Sequence, residues 1–325
     1  MVIPESQASA NQRAGRAGRI RAGKAYRLFP EKQFDELPDA TVPEIQRTNI
    51  ASVILQLKAL GISNVLRFHF LDAPPAQNMV RGLELLYALQ AIDADCQLTQ
   101  PLGLRMAEFP LPPMFAKMLL TSEEFECGQE AVTVAAMMQI NNVFVTPSNQ
   151  KNASHKARRL FAVAEGDHVT MINVYRAFLE NNKSSQWCHQ HFLNYKGLMR
   201  ATEIRNQLLR LLNNFRFKVK SCAEDVERVQ RCITAGFFAN AARLHHSGEY
   251  RTVKDDHPLN LHPTSVLATE DRPPQWVVYN EVVQTTREFM RDVTAIKAEW
   301  LCELAPHYYE FGTERELAEK RQRLG

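Results

Sequence analysis

None of the six cysteines in this 325-residue chain stands in a Cys-x-x-Cys pair; they lie scattered at Cys96, Cys127, Cys188, Cys222, Cys232 and Cys302. That excludes the common zinc-ribbon and thioredoxin-like spacings, and such sparse cysteines predict free, mostly packed thiols in a reducing compartment. The N-terminus lacks a basic stretch followed by an apolar core, so no secretory signal is read there. No apolar run reaches bilayer-crossing length. The expectation is a soluble intracellular protein. The sequence also lacks a Gly-x-x-x-x-Gly-Lys-[Ser/Thr] loop, and its nearest fragment, Gly23-Lys24-Ala25, has neither the upstream glycine nor the hydroxyl. It has no Asp-Glu-x-His or similar acidic cluster to hold Mg²⁺. Taken alone, the chain is therefore expected to hydrolyse no nucleotide. Internal repeats and low-complexity tracts are absent too.

What is present is globular. Hydrophobic residues make up 45% and charged residues 23%, which excludes wholesale disorder, and the length predicts two or three domains. Net charge is only +3, but its distribution is uneven. Residues 1–30 hold Arg13, Arg16, Arg19, Arg21, Lys24 and Arg27 against the single acid Glu5. Within them, Gln12-Arg13-Ala14-Gly15-Arg16-Ala17-Gly18-Arg19 spaces guanidinium forks by small residues. Each fork can grip two phosphate oxygens, and glycine removes side chains where backbone turns or nears a ligand. Arg16 and Arg19 could stabilise charge on a γ-phosphate during phosphoryl transfer, with Gln12 orienting water or touching the same phosphate. A salt-bridged turn is the alternative for these three.

Periodicity organises the rest. Ala25–Phe29 reads as a short strand, and the first thirty residues as the end of an α/β domain. A connector follows with Pro30, Pro38 and Pro43. Ile50, Val53, Ile54, Leu57 and Leu60 mark a helix stopped by Gly61, and Met79, Leu83, Leu86 and Tyr87 mark a second. Leu98-Thr99 and Leu102–Leu104 suggest a β-hairpin ending near Ala107, so this unit suits a winged helix. Residues 111–215 read as helical throughout, broken by a basic loop over 146–159, and Val132–Ile140 reads as a buried helix. A helix over about Ala223–Leu244 leads into short strands at Tyr250–Val253, Leu259–Leu261 and Trp276–Tyr279, a pattern suiting a small barrel. Glu314–Gly325 reads as a charged helical tail. The fold class is thus mainly α with a C-terminal β-barrel.

These landmarks together resemble the C-terminal portion of a DEAH-box RNA helicase over nearly the whole chain, with wording most similar to spliceosome-associated members. Gln12–Arg19 resembles the family's sixth motif, Thr41–Thr48 the approach to its winged helix, and Leu102–Leu111 the passage into its ratchet-like bundle. Glu165-Gly166-Asp167-His168 and Trp187-Cys188 are similar to landmarks of that bundle, and Gly236–Arg243 and His262–Leu267 to those of its oligonucleotide-binding barrel. The resemblance implies a remnant of the second RecA-like lobe over 1–40, a winged helix over 41–109, a ratchet-like bundle over 110–218 and an OB-fold with leading helix and tail over 219–325. It implies an ATP-driven, Mg²⁺-dependent motor moving 3′ to 5′ on single-stranded RNA, with Arg16 and Arg19 as arginine fingers and Gln12 on the γ-phosphate. The other domains would form a lid over the RNA channel. Spliceosome components, a glycine-rich patch activator and a nuclear location are implied partners and setting, and no membrane.

RNA grip by such a lid should rest on cationic grooves. Candidate contacts are Lys151, Arg158, Arg159, Lys196, Arg200, Arg251, Ser265 and Arg291, for each of which a solvated or salt-bridged role is the alternative. Cys188-His189-Gln190-His191 has no second cluster to complete a metal site, so no metal is assigned. Phe68-His69-Phe70 and Trp187 are expected in the core or at domain interfaces. A rival from another class is a stand-alone RNA- or protein-binding module, the product of a truncated gene, without ATPase activity. A scaffold for partner proteins alone is a third.

Overall fold

A computed structural model describes residues 5–285 and 287–309. In chain order its helices are α1 Gln7–Gly15, α2 Glu31–Asp35, α3 Glu44–Arg47, α4 Ala51–Ala59, α5 Ala76–Ala88, α6 Leu102–Glu108, α7 Pro113–Thr121, α8 Gly128–Met137, α9 Lys151–Arg159, α10 Asp167–Glu180, α11 Ser185–Gln190, α12 Tyr195–Asn214, α13 Val226–Phe237 and α14 Ala298–Leu304. Five strands follow α13: β1 Ala241–Leu244, β2 Tyr250–Thr252, β3 Pro258–Leu261, β4 Trp276–Gln284 and β5 Glu288–Ile296. They close into a barrel in the order β1-β2-β3-β5-β4, antiparallel except where β3 runs parallel to β5. The mainly α architecture with a C-terminal barrel agrees with the sequence.

One apolar core joins most of these elements. It runs from Ile50, just before α4, and Ile54 of α4 through Leu86 of α5, Phe115 and Met118 of α7 and Val132 of α8 to Phe237 of α13 and Trp300 of α14. The α7–α13 contact carries an edge-to-face pair, Phe115 and Phe237, with centroids 4.9 Å apart. Burying each ring is worth about 1.5–3 kcal/mol. Helix α8 packs against α10 and α12 and is buried at every residue but Gln129; the buried helix read over Val132–Ile140 ends at Met137, with 138–140 half-buried. A second core, around Phe178 and Leu198, fills the far end of the bundle, and a third fills the barrel around Leu259, Val277 and Met290.

Four local expectations need correction. Ala25–Phe29 forms no strand: among the described residues nothing pairs with it, and Arg27 instead stands 3.9 Å over the Phe34 ring. The hairpin at 98–104 is only an isolated Ile92–Leu98 bridge followed by α6. There the Thr99 hydroxyl accepts from Gly103 N–H, and Gly103 packs where a Cβ would lie 2.0 Å from the Ala91 carbonyl, so the chain winds rather than extends. The basic segment ahead of Leu160 is largely helix α9, not a loop. Helix α13 stops at Phe237, because Asn240 donates to the carbonyls of Tyr279 and Asn280 and draws the chain into the barrel. The proposed tail 314–325 lies outside the described residues.

Bundle and barrel meet at the Glu165–His168 turn. Gly166 has φ +112°, and an added Cβ would lie 2.2 Å from the Val293 carbonyl. Glu165 accepts from Ala295 N–H across the same seam at 3.0 Å. Fully buried His168 meets the Thr294 hydroxyl through Nδ1 at 2.7 Å, and burial lowers its pKa to about 4 despite the opposing pull of Asp292. Gly166→Ala combines left-handed strain with a backbone clash, so it should cost about 3 kcal/mol or more in urea unfolding. Because the folded pKa of His168 is depressed, the unfolded chain takes up the proton first. Stability should therefore be complete above about pH 6.5 and fall by about 3 kcal/mol toward pH 4. Unfolding midpoints across this range should show a shallower decline in His168→Asn.

Candidate nucleotide and nucleic-acid interface

Helix α1 begins at Ser6, whose side chain accepts from Ser9 N–H. It runs into a 3₁₀ turn over Arg16–Gly18, and Arg19 still keeps helical angles, φ −69° and ψ −40°. Gln12, Arg16 and Arg19, at spacings of four and three, therefore share one helical face. All three are exposed, and no hydrogen bond or ion pair engages their side chains among the described residues. Two of their basic neighbours are occupied, since Arg13 pairs with Glu5 at 3.2 Å and Arg27 donates to Asn11 at 2.5 Å, while Arg21 and Lys24 are exposed. Gly15 and Gly18 have right-handed or open surroundings, where a Cβ would touch nothing within 4 Å. Nothing within the chain demands glycine there, so the clearance suits an approach from outside.

The suggested RNA contacts fall into two groups. Lys151 and Arg159 on α9, and Lys196 and Arg200 one turn apart on α12, are exposed with no acidic partner among the described residues. The Phe144–Leu193 bridge, with Val145 N–H bonded to the Phe192 carbonyl, brings the approach to α9 beside the start of α12. Arg158 faces inward instead. Its guanidinium lies 4.8 Å from the Phe144 centroid and donates to the Thr264 carbonyl of the barrel. Burial lowers its pKa, while Asp167 and Asp292 push it back up.

On the barrel, Arg251 pairs with Asp256 at 2.5 Å and Arg291 with Glu281 at 3.1 Å. Ser265 is a clear correction. It is buried, and its hydroxyl donates to Asp167 Oδ2 at 2.7 Å, so it offers nothing to a strand at the surface. Cys188 is core, and His191 stacks on Trp187 with centroids 4.6 Å apart. Among the described residues no group of three or more His, Cys, Asp or Glu could hold a metal ion. Phe68 is 37% exposed and edge-on to Phe70, less interior than expected.

Sequence reasoning missed the role of Asp167. It is buried and accepts from Ser265 Oγ, Val266 N–H at 2.8 Å and Val293 N–H at 2.9 Å. Burial raises its pKa, and those three donors pull it back down. The signal available was its place between Gly166 and His168, where the backbone turns into α10.

Three family models match in succession. The helicase-associated winged-helix domain matches residues 82–111, its ratchet-like domain 112–171, and the oligonucleotide/oligosaccharide-binding fold 229–308. The chain is 61% identical over 324 residues to a Homo sapiens protein described as probable ATP-dependent RNA helicase DHX35, covering all of this chain and 46% of that one. A Caenorhabditis elegans protein described as its homologue is 56% identical over 329 residues, covering 99% of this chain and 44% of its own length.

The chain belongs to the DEAH-box RNA helicase family. It spans about half the length of these curated relatives. The matched ratchet-like region takes in α7, α8, α9 and the first turn of α10, and the five strands lie within the matched oligonucleotide/oligosaccharide-binding fold. Ser265→Ala should remove one donor from the buried Asp167 carboxylate and cost about 1–3 kcal/mol in chemical unfolding. Lys151→Ala, whose side chain is solvated, should leave the midpoint within about 0.5 kcal/mol.

Proposed function

We propose that the chain supplies arginine fingers and an RNA-channel lid to an ATP-dependent RNA helicase that moves 3′ to 5′ on single-stranded RNA. The observation that carries this is the shared, exposed face of Gln12, Arg16 and Arg19, whose side chains have no partner among the described residues, on a helix whose other cation, Arg13, pairs with Glu5. Arg16 and Arg19 bring positive charge to the γ-phosphate as charge develops in the transition state, and Gln12 orients the attacking water. ATP and Mg²⁺ are held by the part of the helicase that carries the phosphate loop. The lid grips the RNA backbone through Lys151, Arg159, Lys196 and Arg200, while Arg158, Arg251 and Arg291 brace the lid itself. Spliceosomal work in the nucleus, with a glycine-rich patch protein as activator, is the setting we assign from the resemblance.

The test uses a full-length helicase that includes the phosphate loop. Arg19→Ala should lower RNA-stimulated ATP hydrolysis by about 10³-fold or more while RNA affinity without nucleotide stays near wild type. Hydrolysis at the wild-type rate in that variant would sink the finger assignment. Salt-dependent RNA binding combined with no hydrolysis in the intact wild-type protein would favour the stand-alone binding module instead.

A further inference from the structure

The ratchet holds a second pair of guanidinium groups, apart from the exposed row on α9 and α12. Arg176 of α10 and Arg205 of α12 line one surface pocket of about 120 Å³, walled by Gln129 and Thr133 of α8, by Tyr175 and by Leu179. Arg205 is held firmly. Its Nε donates to the Thr133 hydroxyl at 3.0 Å, its Nη2 donates to Gln129 Oε1, and the Tyr175 ring lies 5.7 Å away. Arg176 is exposed and donates one bond, to the Ala223 carbonyl at 3.3 Å.

Every one of those partners is neutral. Elsewhere in the chain Arg228, Arg231, Arg243, Arg251 and Arg291 each meet a carboxylate. Arg176 and Arg205 meet none at ion-pair distance among the described residues. One acid, Glu130, lines the pocket, but its oxygens accept from the Ser221 hydroxyl at 2.6 Å and Cys222 N–H at 3.3 Å. With neutral hydrogen-bond partners, each guanidinium keeps most of its N–H donors free.

We propose that Arg176 and Arg205 form a binding site for a phosphate group. An oxyanion between them would take up the free donors in charge-assisted bonds. The pocket has room for roughly four waters at about 30 Å³ each, enough for one phosphate group. The fixed fork of Arg205 presets half of the site, and the more mobile Arg176 closes the other half. For the source of the phosphate we commit to the backbone of the RNA strand, a step that rests on the lid function proposed above; the site itself does not depend on it. A free phosphoryl ligand shares the chemistry.

The test titrates this chain with labelled oligouridine over a range of salt concentrations, and separately with inorganic phosphate by calorimetry. Arg176→Gln removes an exposed side chain, so its unfolding midpoint should match wild type. It should weaken oligouridine binding roughly 5–10-fold near 0.1 M salt and lower the slope of log affinity against log salt by about 1. It should also abolish the heat of phosphate binding. Loss of phosphate binding without any change in RNA affinity would keep the site and reject RNA as its source. An unchanged RNA affinity, slope and phosphate heat would overturn the site. If wild type binds no RNA at all, the lid function fails, and the phosphate titration alone decides the site.

Discussion

The buried carboxylate of Asp167 is the constraint on which the arrangement of bundle and barrel depends. A carboxylate taken out of water is costly unless donors replace its hydration. Here the replacements come from the barrel, two backbone N–H groups and the Ser265 hydroxyl, while the acid itself sits in the first turn of α10. Separating the two bodies would strand the acid on one side and three donors on the other. Gly166 makes the approach close enough, and His168 extends the contact to Thr294. The flanking Arg158 adds a bond to Thr264, so one short turn and one helix together clamp the barrel against the bundle. The winged-helix side is tied differently, through the continuous apolar core and the bond from His307 Nε2 to the Ala88 carbonyl.

That difference in attachment sorts the cations. Arg158 at the seam and Arg243, Arg251 and Arg291 on the barrel have partners within the chain, and their work is structural. The side chains of Arg16, Arg19, Lys151, Arg159, Lys196 and Arg200 have none among the described residues. Charge alone could not separate the two sets, because both are arginines and lysines in basic surroundings. Pairing separates them, and pairing is a property of the folded chain.

The legible part of the sequence was what local chemistry fixes. Periodicity located α4 and α5, since each buries a face of its own, and the apolar stretch Val132–Ile140 marked α8 as interior. The spacing Gln12-x₃-Arg16-x₂-Arg19 needed only the geometry of a helix. Strand β5 escaped because Arg291 and Asp292 interrupt its alternation, although Met290, Val293 and Ile296 point inward. Ser265 looked like a polar contact because its partner lies 98 residues earlier in the chain. Helix α9 read as a loop because it buries only Ser154 and Ala157, too narrow a stripe to set a period.

Helix α1 and the domains behind it are joined economically, and this has a mechanical consequence. Helix α1 is held by N–H bonds from Gln7 and Ala8 to the carbonyls of Pro38 and Asp39, and by Ser6 to Thr41. The chain then passes through α3, where Gln46 donates to the Ala73 carbonyl and accepts from Asn78, into the welded body. Displacement of one end is thus carried to the other through a short bonded path, not a broad packed interface. A body built in loosely joined parts would absorb such a displacement internally. Because Asp167 and the common core make winged helix, bundle and barrel one body, a movement passed along this path must shift the whole cationic surface together.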